Sequence, residues 1–393
     1  MTATLKVAVI AGEVSGDLLG ADLIRSLKGH YSGSIELMGV GGEALEAQGL
    51  VSLFDYSELS IMGFTQVLKK LPKLISRINQ TAQAIIVAKP DILLIIDSPD
   101  FTHRVAKKVR KQLPHLPVVN YVCPSVWAWK EYRATAMLSY VDHVLALLPF
   151  EPEAMRRLGG PPTTFVGHRL SVDQDVLSVR QRRAERPLPA NGEPKTILLL
   201  PGSRSTETTR LMEPFQEAAK AYVERNGPTK FLLPTVPRQE NRIRELAATW
   251  PQDIRPEIGI DPAFKWNAFA RADAAIAASG TVILELALVG VPTISVYKTD
   301  WIFTILSKRV KTWTGALPNL IADYVVVPEY FNEVVRAGSM LRWAERLSSD
   351  TTERRAMLEG YALVQERLHT EVPPGETGAL ILLDVLNSRK QQG

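Results

Sequence analysis

The sequence predicts an α/β protein with two doubly wound parallel-sheet domains facing a cleft and a helical C-terminus. Three observations predict it. Short apolar runs alternate with longer amphipathic segments over the first 150 residues. The alternation fails around 171–195 and then restarts. From about Glu333 the pattern is helix after helix. Strands alternating with helices imply parallel sheets covered on both faces. A chain of 393 residues suits two domains better than one.

In the first half, "KVAVIAG" (6–12) reads as a buried strand, followed by a helix over about Ser15 to Lys28. "IELMGVGG" (35–42), "DILLIID" (91–97), "PVVNYVC" (117–123) and "HVLALLPF" (143–150) read as further strands. The stretch "SVRQRRAERPLPANGEPK" is charged and rich in Pro and Gly, and reads as a linker. Beyond it, "TILLLPGSR" (196–204), "KFLLPT" (230–235), "AAIAASG" (274–280) and "PTISVYK" (292–298) are the strands of a second domain. The expected divisions are 1–170, 171–345 and a helical segment, 346–393, that packs on the first domain or on a partner chain.

Composition narrows the function classes. The apolar fraction is 46%, the charged fraction 22% and the net charge +4, with a sequence pI near 9.0. That balance is too mild to argue for nucleic acid, and it suits anionic substrates or an anionic membrane surface. A single cysteine, Cys123, excludes an intrachain disulfide. The N-terminal stretch does not read as a signal peptide, and no apolar run reaches the roughly 18–20 residues of a spanning helix. The expectation is a cytoplasmic protein whose membrane contact is peripheral. No His or Cys cluster suggests a metal site.

Ligands of such sheets bind outside the carboxyl ends of the strands, and the motifs fall there. "IAGEVSGD" (10–17) is a strand, a turn and a helix start, without the G-x-G-x-x-G fingerprint. It suits an anion or a sugar hydroxyl, or plain turn chemistry with Ser15 or Asp17 as the cap. "IIDSPDF" (95–101) sets Asp97 at the end of a buried strand, either as a general base or as a turn stabiliser with Asp100. "VCPSVWAWK" (122–130) follows a strand with two tryptophans that stack on a sugar or pack against the protein. "LLLPGSRSTE" (198–207) places Arg204 beside backbone N–H groups, an arrangement suited to a diphosphate. In "AASGTVILELALVGVP" (277–292) a strand ends in Ser-Gly-Thr and a helix opens, ready for phosphate. Glu285 lies about one turn beyond Thr281 and suits ribose hydroxyls, unless it is incidental to a core helix.

The stretch "IMGFTQVLKKLPKLISRI" (61–78) is amphipathic. Ile61, Phe64, Val67, Leu68, Leu71, Leu74, Ile75 and Ile78 fall on one face, and Lys69, Lys70, Lys73 and Arg77 on the other. Pro72 is expected to bend or break it.

Taken together, "AGEVSGD", "ELSIMGFTQVL", "KPDILLIIDSPDF", "PSVWAWK", "LLPFE", "FVGH", "LLPGSR", "ASGTVILE" and "LPNLIA" resemble the lipid-A-disaccharide synthase family. These are inverting glycosyltransferases of GT-B architecture, with two Rossmann-like domains. The motifs occur in family order over residues 6 to 325. The resemblance implies transfer of 2,3-diacylglucosamine from its UDP derivative to the 6-hydroxyl of 2,3-diacylglucosamine 1-phosphate, with UDP released. It implies Asp97 as the base, and Gly202, Ser203, Arg204, Ser279, Gly280 and Thr281 around the diphosphate. Glu285 would hold the ribose and Asn319 would contribute to the nucleotide pocket. Glu13, Ser15, Gly16, Ser125 and Trp127 would line the acceptor side.

The resemblance implies no cofactor and no metal, with the UDP-sugar as a substrate. It suits the inner-membrane surface of a Gram-negative bacterium, with a second copy of the chain as a candidate partner. An amphipathic helix of this kind ordinarily packs its apolar face into a core; with acylated substrates, Phe64, Val67, Leu68, Leu71, Leu74 and Ile75 are expected instead to form an exposed patch that meets the bilayer. The sequence departs from the common family pattern at Val14, Cys123, Lys130 and Arg169, and none of these is a proposed base or phosphate contact.

Overall fold

The computed structural model describes residues 4–59, 64–190, 192–298 and 311–390, with backbone alone for 64–70 and 389–390. The chain divides into two units. One runs to Arg169 and resumes at Thr370; the other is Leu170–His369.

The first unit contains β1 (Leu5–Ala11), α1 (Val14–His30), β2 (Ile35–Val40), α2 (Glu43–Glu46) and α3 (Phe64–Ala88). It continues with β3 (Ile92–Ile96), α4 (Pro99–Gln112), β4 (Val118–Tyr121), α5 (Tyr132–Met137), β5 (His143–Ala146), α6 (Glu151–Arg157) and β6 (Thr163–Phe165). Its parallel sheet has the order β2-β1-β3-β4-β5-β6. A lone parallel bridge joins Gly39 of β2 to Ser52. Every residue of β3 is buried, which is why it reads as an unbroken apolar run.

The second unit contains α7 (Gln174–Ala184), β7 (Lys195–Leu200), α8 (Ser205–Asn226), β8 (Thr229–Pro234), α9 (Glu240–Ala248), β9 (Glu257–Gly259) and α10 (Pro262–Arg271). Then come β10 (Ala274–Ala278), α11 (Thr281–Val289), β11 (Thr293–Tyr297), α12 (Leu317–Ala322), β12 (Glu329–Phe331), α13 (Ala337–Leu347) and α14 (Thr352–Leu368). The sheet order is β12-β11-β10-β7-β8-β9. The strand order reverses between β7 and β10, so their carboxyl ends flank the crevice where ligands of such sheets bind.

The last helix, α15 (Pro374–Lys390), returns to the first unit. Ala379, Leu382 and Leu386 join Leu23, Ile24, Leu27 and Leu145 in one core. The expected helical segment 346–393 is therefore split. α14 belongs to the second unit, where Arg367 donates to the Ile321 carbonyl at 2.6 Å, and only α15 crosses back.

β6, β9 and β12 escaped the sequence reading. Each is a three-residue edge strand, too short to show an apolar run. The expected linker also proves partly helical. Asp173 caps α7 by accepting from the N–H groups of Asp175 and Val176. The buried members of α7 are Val176 and Val179, and the next inward position, one turn on, is Arg183. Its guanidinium donates to the carbonyls of Phe269, Ala270 and Ala272 at the end of α10, and of Gly290 at the end of α11. A cation at two helix C-termini satisfies carbonyls that have no intrahelical partner. Burial pushes the Arg183 guanidinium down to about 9, helped by Arg354 and Arg186, so it stays charged near neutrality. Arg186 pairs with buried Asp273 at 2.9 Å.

From Phe64 onward the amphipathic stretch is helical through Pro72, so of the two expected outcomes the helix is not broken there. Ile78, Ala82 and Ile85 pack into the core, with Leu74 half-buried against them. Leu71 (36% exposed) and Ile75 (45%) lie outside it. Leu74 therefore leaves the expected patch. Ile61 and the side chains of Phe64, Val67, Leu68, Lys69 and Lys70 lie outside the described residues. Glu58 pairs with Lys73 at 3.3 Å and with Arg77 at 2.8 Å, so two of the basic residues are neutralised within the chain. No described helix is long and apolar enough to cross a membrane.

Arg183→Met strands the carbonyls of two helix ends. The expected loss is about 3 kcal/mol, read as a melting transition of the second unit lowered by roughly 6–12 °C. A transition at the wild-type temperature would contradict the capping role.

Candidate active site

In the first unit the carboxyl ends of β1, β3 and β4 lie side by side, because β3 pairs with both of the others. The chain leaves β3 through Asp97 and Ser98, both with positive φ (50° and 45°), and Val122 after β4 has φ 74°. Non-glycine residues in this region cost about 1–3 kcal/mol each and gather at functional turns. The Asp97 turn is pinned at several points. The Asp97 N–H donates to the Tyr121 carbonyl at 3.1 Å. The Ser98 N–H donates to Asp97 Oδ1 at 2.8 Å, and the Thr102 hydroxyl donates to the Asp97 carbonyl at 2.7 Å. Asp97 thus does the turn work that one sequence reading gave it. Only Oδ1 is used in that turn, and the side chain is half-buried.

Glu13 and Ser15 stand exposed at the end of β1, and Gly16 is buried beneath them. A Cβ on Gly16 would sit 3.4 Å from Ile96 Cγ2, so helix and sheet approach closely there. Neither expected cap of α1 operates: Glu13 occupies the N-cap position without a side-chain cap. Asp17 is buried and instead serves α2, accepting from the N–H groups of Gly42, Ala44 and Leu45.

The loop after β4 is anchored from below. Trp127 meets Phe150 edge to face at 5.0 Å and donates from Nε1 to Glu151 at 3.3 Å. Glu151, 3% exposed, also accepts from the N–H groups of Leu147 and Leu148. Burial raises the Glu151 carboxyl to about 7, against the pull of these hydrogen bonds. Trp127 therefore takes the packing role among its two readings. Ser125 stays exposed, with its carbonyl accepting from Ala128 and Trp129 at 3.1 Å. Lys130 lies over the Trp129 ring at 4.9 Å. Glu151 was not assigned from sequence, although "LLPFE" ends on it.

In the second unit a cavity of about 530 Å³ opens at the carboxyl ends of β7 and β10, a size that suits a small ligand. Gly202, Ser203, Arg204, Ser279, Gly280, Thr281 and Glu285 all line it, so seven of the eight nucleotide-side candidates converge there. Gly202 has φ 98°, and a Cβ on it would meet Glu207 Oε2 at 2.5 Å. Only glycine fits this turn. Glu207 accepts from the Arg204 backbone N–H at 3.3 Å and from its guanidinium at 2.7 Å. It is a missed positioning residue, marked in sequence by its place three residues past the helix cap. Gly280 precedes α11 and gives that helix no side-chain cap, which leaves the first-turn N–H groups and the positive helix end toward the cavity.

Glu285 is ion-paired with Lys265 at 2.7 Å, and Lys265 lies 4.4 Å from the Trp266 ring centroid. Lys265, Trp266, Pro234, Val236 and Ile260 are also part of the lining; no site motif pointed to them. Asn319 does not reach the cavity. It is buried, its amide N–H₂ donates to Thr314 Oγ1 and the Val327 carbonyl, and its amide oxygen accepts from Val326 and Val327. Its full complement of partners makes it a staple for 314–327, not a ligand contact. Among the described residues no cluster of metal-binding side chains occurs.

The family model for lipid-A-disaccharide synthetase matches residues 7–366. A lipid-A-disaccharide synthase of Nitrobacter winogradskyi is 43% identical over 387 residues, covering 98% of this chain and 96% of that protein. One of Rhodopseudomonas palustris strain HaA2 is 43% identical over 383 residues, covering 97% and 96%. Among solved structures, MurG of Acinetobacter baumannii matches with TM-score 0.58 at 14% identity, covering 98% of this chain and 99% of that one. That likeness concerns the fold alone, which is GT-B.

The raised Glu151 pKa gives a pH test. A carboxyl raised in the fold contributes stability below its unfolded value near 4.5, and the contribution is lost as pH rises through about 7. Glu151→Gln is expected to flatten the fall in melting temperature of the first unit between roughly pH 5 and 8. An unchanged slope would exclude Glu151 as its source.

Proposed function

This chain belongs to the lipid-A-disaccharide synthase family, and from that premise we propose which of its residues carry the reaction. It is a glycosyltransferase of lipid A biosynthesis that acts on a UDP-sugar and a sugar acceptor. The donor is UDP-2,3-diacylglucosamine and the acceptor is 2,3-diacylglucosamine 1-phosphate. The product is the β-1,6-linked disaccharide 1-phosphate, with UDP released.

One observation carries the nucleotide assignment: the uncapped N-terminus of α11 lines the same cavity as Arg204 and Glu285. The diphosphate takes the N–H groups of that helix end and the Arg204 fork. Glu207 holds Arg204 in place, and Lys265 holds Glu285 where it can accept from ribose hydroxyls. Pro234, Val236 and Ile260 offer apolar walls for the base. This reading places the leaving group's charge on N–H groups and a guanidinium, and assigns no resident metal or cofactor.

Inversion requires in-line attack by the acceptor 6-hydroxyl as the bond to the diphosphate breaks. Asp97 takes the hydroxyl proton on Oδ2, because Oδ1 is held by the Ser98 N–H. The positive-φ turn fixes that carboxylate before substrate arrives, which is how a positioned base lowers the barrier. Glu13, Ser15 and Ser125 supply polar groups on the acceptor side. Turnover is followed by UDP release with both acylated sugars present. Asp97→Asn is expected to lower kcat by about 10²–10⁴-fold with the Kd for UDP nearly unchanged. Wild-type turnover in that variant would remove Asp97 from the mechanism.

Both substrates carry acyl chains, and Leu71 and Ile75 supply the described part of an apolar surface on α3. These side chains enter the interface of an anionic inner membrane, each worth about 1.5–3 kcal/mol when buried. The double change Leu71→Asp, Ile75→Asp is expected to cut co-sedimentation with anionic vesicles by at least 10-fold, leaving melting temperature intact. Retained co-sedimentation would exclude this pair.

A further inference from the structure

The described part of α3 leaves a second exposed apolar group unexplained, and it lies in the other unit. Trp313 is 55% exposed, Phe331 43% and Val334 54%. Scattered apolar residues need no explanation, but these are tied to the anion-binding turn. A Cβ built on Gly315 would lie 3.7 Å from Ser279 Oγ and 3.8 Å from Phe331 Cζ. Ser279 and Phe331 therefore flank one backbone position, with Trp313 two residues before it.

The arrangement is held rigidly. Side chains two apart on a strand share a face, so Phe331 points the same way as Glu329 on β12. Glu329 accepts from the Thr314 hydroxyl and from the Gly315 N–H, and burial raises its carboxyl. Asn319 donates to the same Thr314 Oγ1 at 3.1 Å. Phe331 also occupies the N-cap position of a 3₁₀ turn, Asn332–Val334, which sets exposed Val334 three residues further along the chain. The result is a firm apolar ledge beginning beside Ser279 of the diphosphate turn.

We propose that this ledge of Trp313, Phe331 and Val334 receives an acyl chain of the donor. The proposal rests on the donor reading above: a diphosphate seated at Ser279–Thr281 leaves its acylated sugar within reach of Phe331. Continuity with the clamp favours this occupant over a second copy of the chain.

The test compares two ligands on wild type, Trp313→Ser and Phe331→Asp. One is UDP, which has no acyl chain; the other is UDP-2,3-diacylglucosamine. Loss of one apolar contact is expected to lower kcat/KM for the diacyl donor by roughly 10–200-fold, with the Kd for UDP held within about twofold. Unchanged kcat/KM would overturn the proposal. So would an equal loss of UDP affinity, which would make the ledge a support for the clamp. A change of oligomeric state at unchanged kcat/KM would assign the ledge to a contact between copies and overturn it as well. A wild type without UDP affinity would sink the nucleotide assignment itself, and the ledge with it.

Discussion

Arg183 draws together the carbonyls of Phe269, Ala270, Ala272 and Gly290. These belong to the C-terminal ends of α10 and α11, and both helices have cavity-facing residues at their opposite halves. α11 presents its open N-terminus and Glu285; α10 presents Lys265 and Trp266. A helix held at one end by a charged donor cannot slide or tilt freely at the other. The geometry of the anion site thus depends on a contact at the far end of the helices that form it. Asp273, just before β10, extends the arrangement by pairing with Arg186 and accepting from the Thr196 N–H.

The first unit uses a different device. There the strained backbone after β3 and β4 aims side chains at the sheet edge, and neighbouring polar groups hold the strain. Thr102 and Tyr121 pin the Asp97 turn, and Glu151 ties down the tryptophan loop. Buried and half-buried carboxyl groups recur as organisers of backbone. Asp17 gathers the N–H groups of α2, Glu151 those of Leu147 and Leu148, and Glu329 the Thr314–Gly315 turn. None of them needs to touch substrate to matter for it.

This division explains which features were legible in advance. Nine of the strands were visible because the buried part of a parallel strand reads as a short apolar run. β6, β9 and β12 were not, since three residues at an edge carry no periodic signal. α7 was read as linker because an arginine fills the slot where a helix usually shows its third apolar residue. Seven nucleotide-side candidates came together because glycine-rich turns after strands occur where the sheet must bind. Asn319 was misplaced: a motif marks that a residue is needed, not whether it faces ligand or backbone.

Local rules therefore reached the two parallel sheets, the carboxyl-edge turns and Asp97 at the end of its strand, because hydrophobic periodicity and turn chemistry are written in contiguous residues. Which carboxylate caps which helix, the pairing of Lys265 with Glu285, the return of α15 to the first unit and the half-burial of Leu74 beside exposed Leu71 lay beyond them. Each joins residues distant in sequence or depends on a few tens of degrees around a helix axis. Such contacts exist only once the chain has packed.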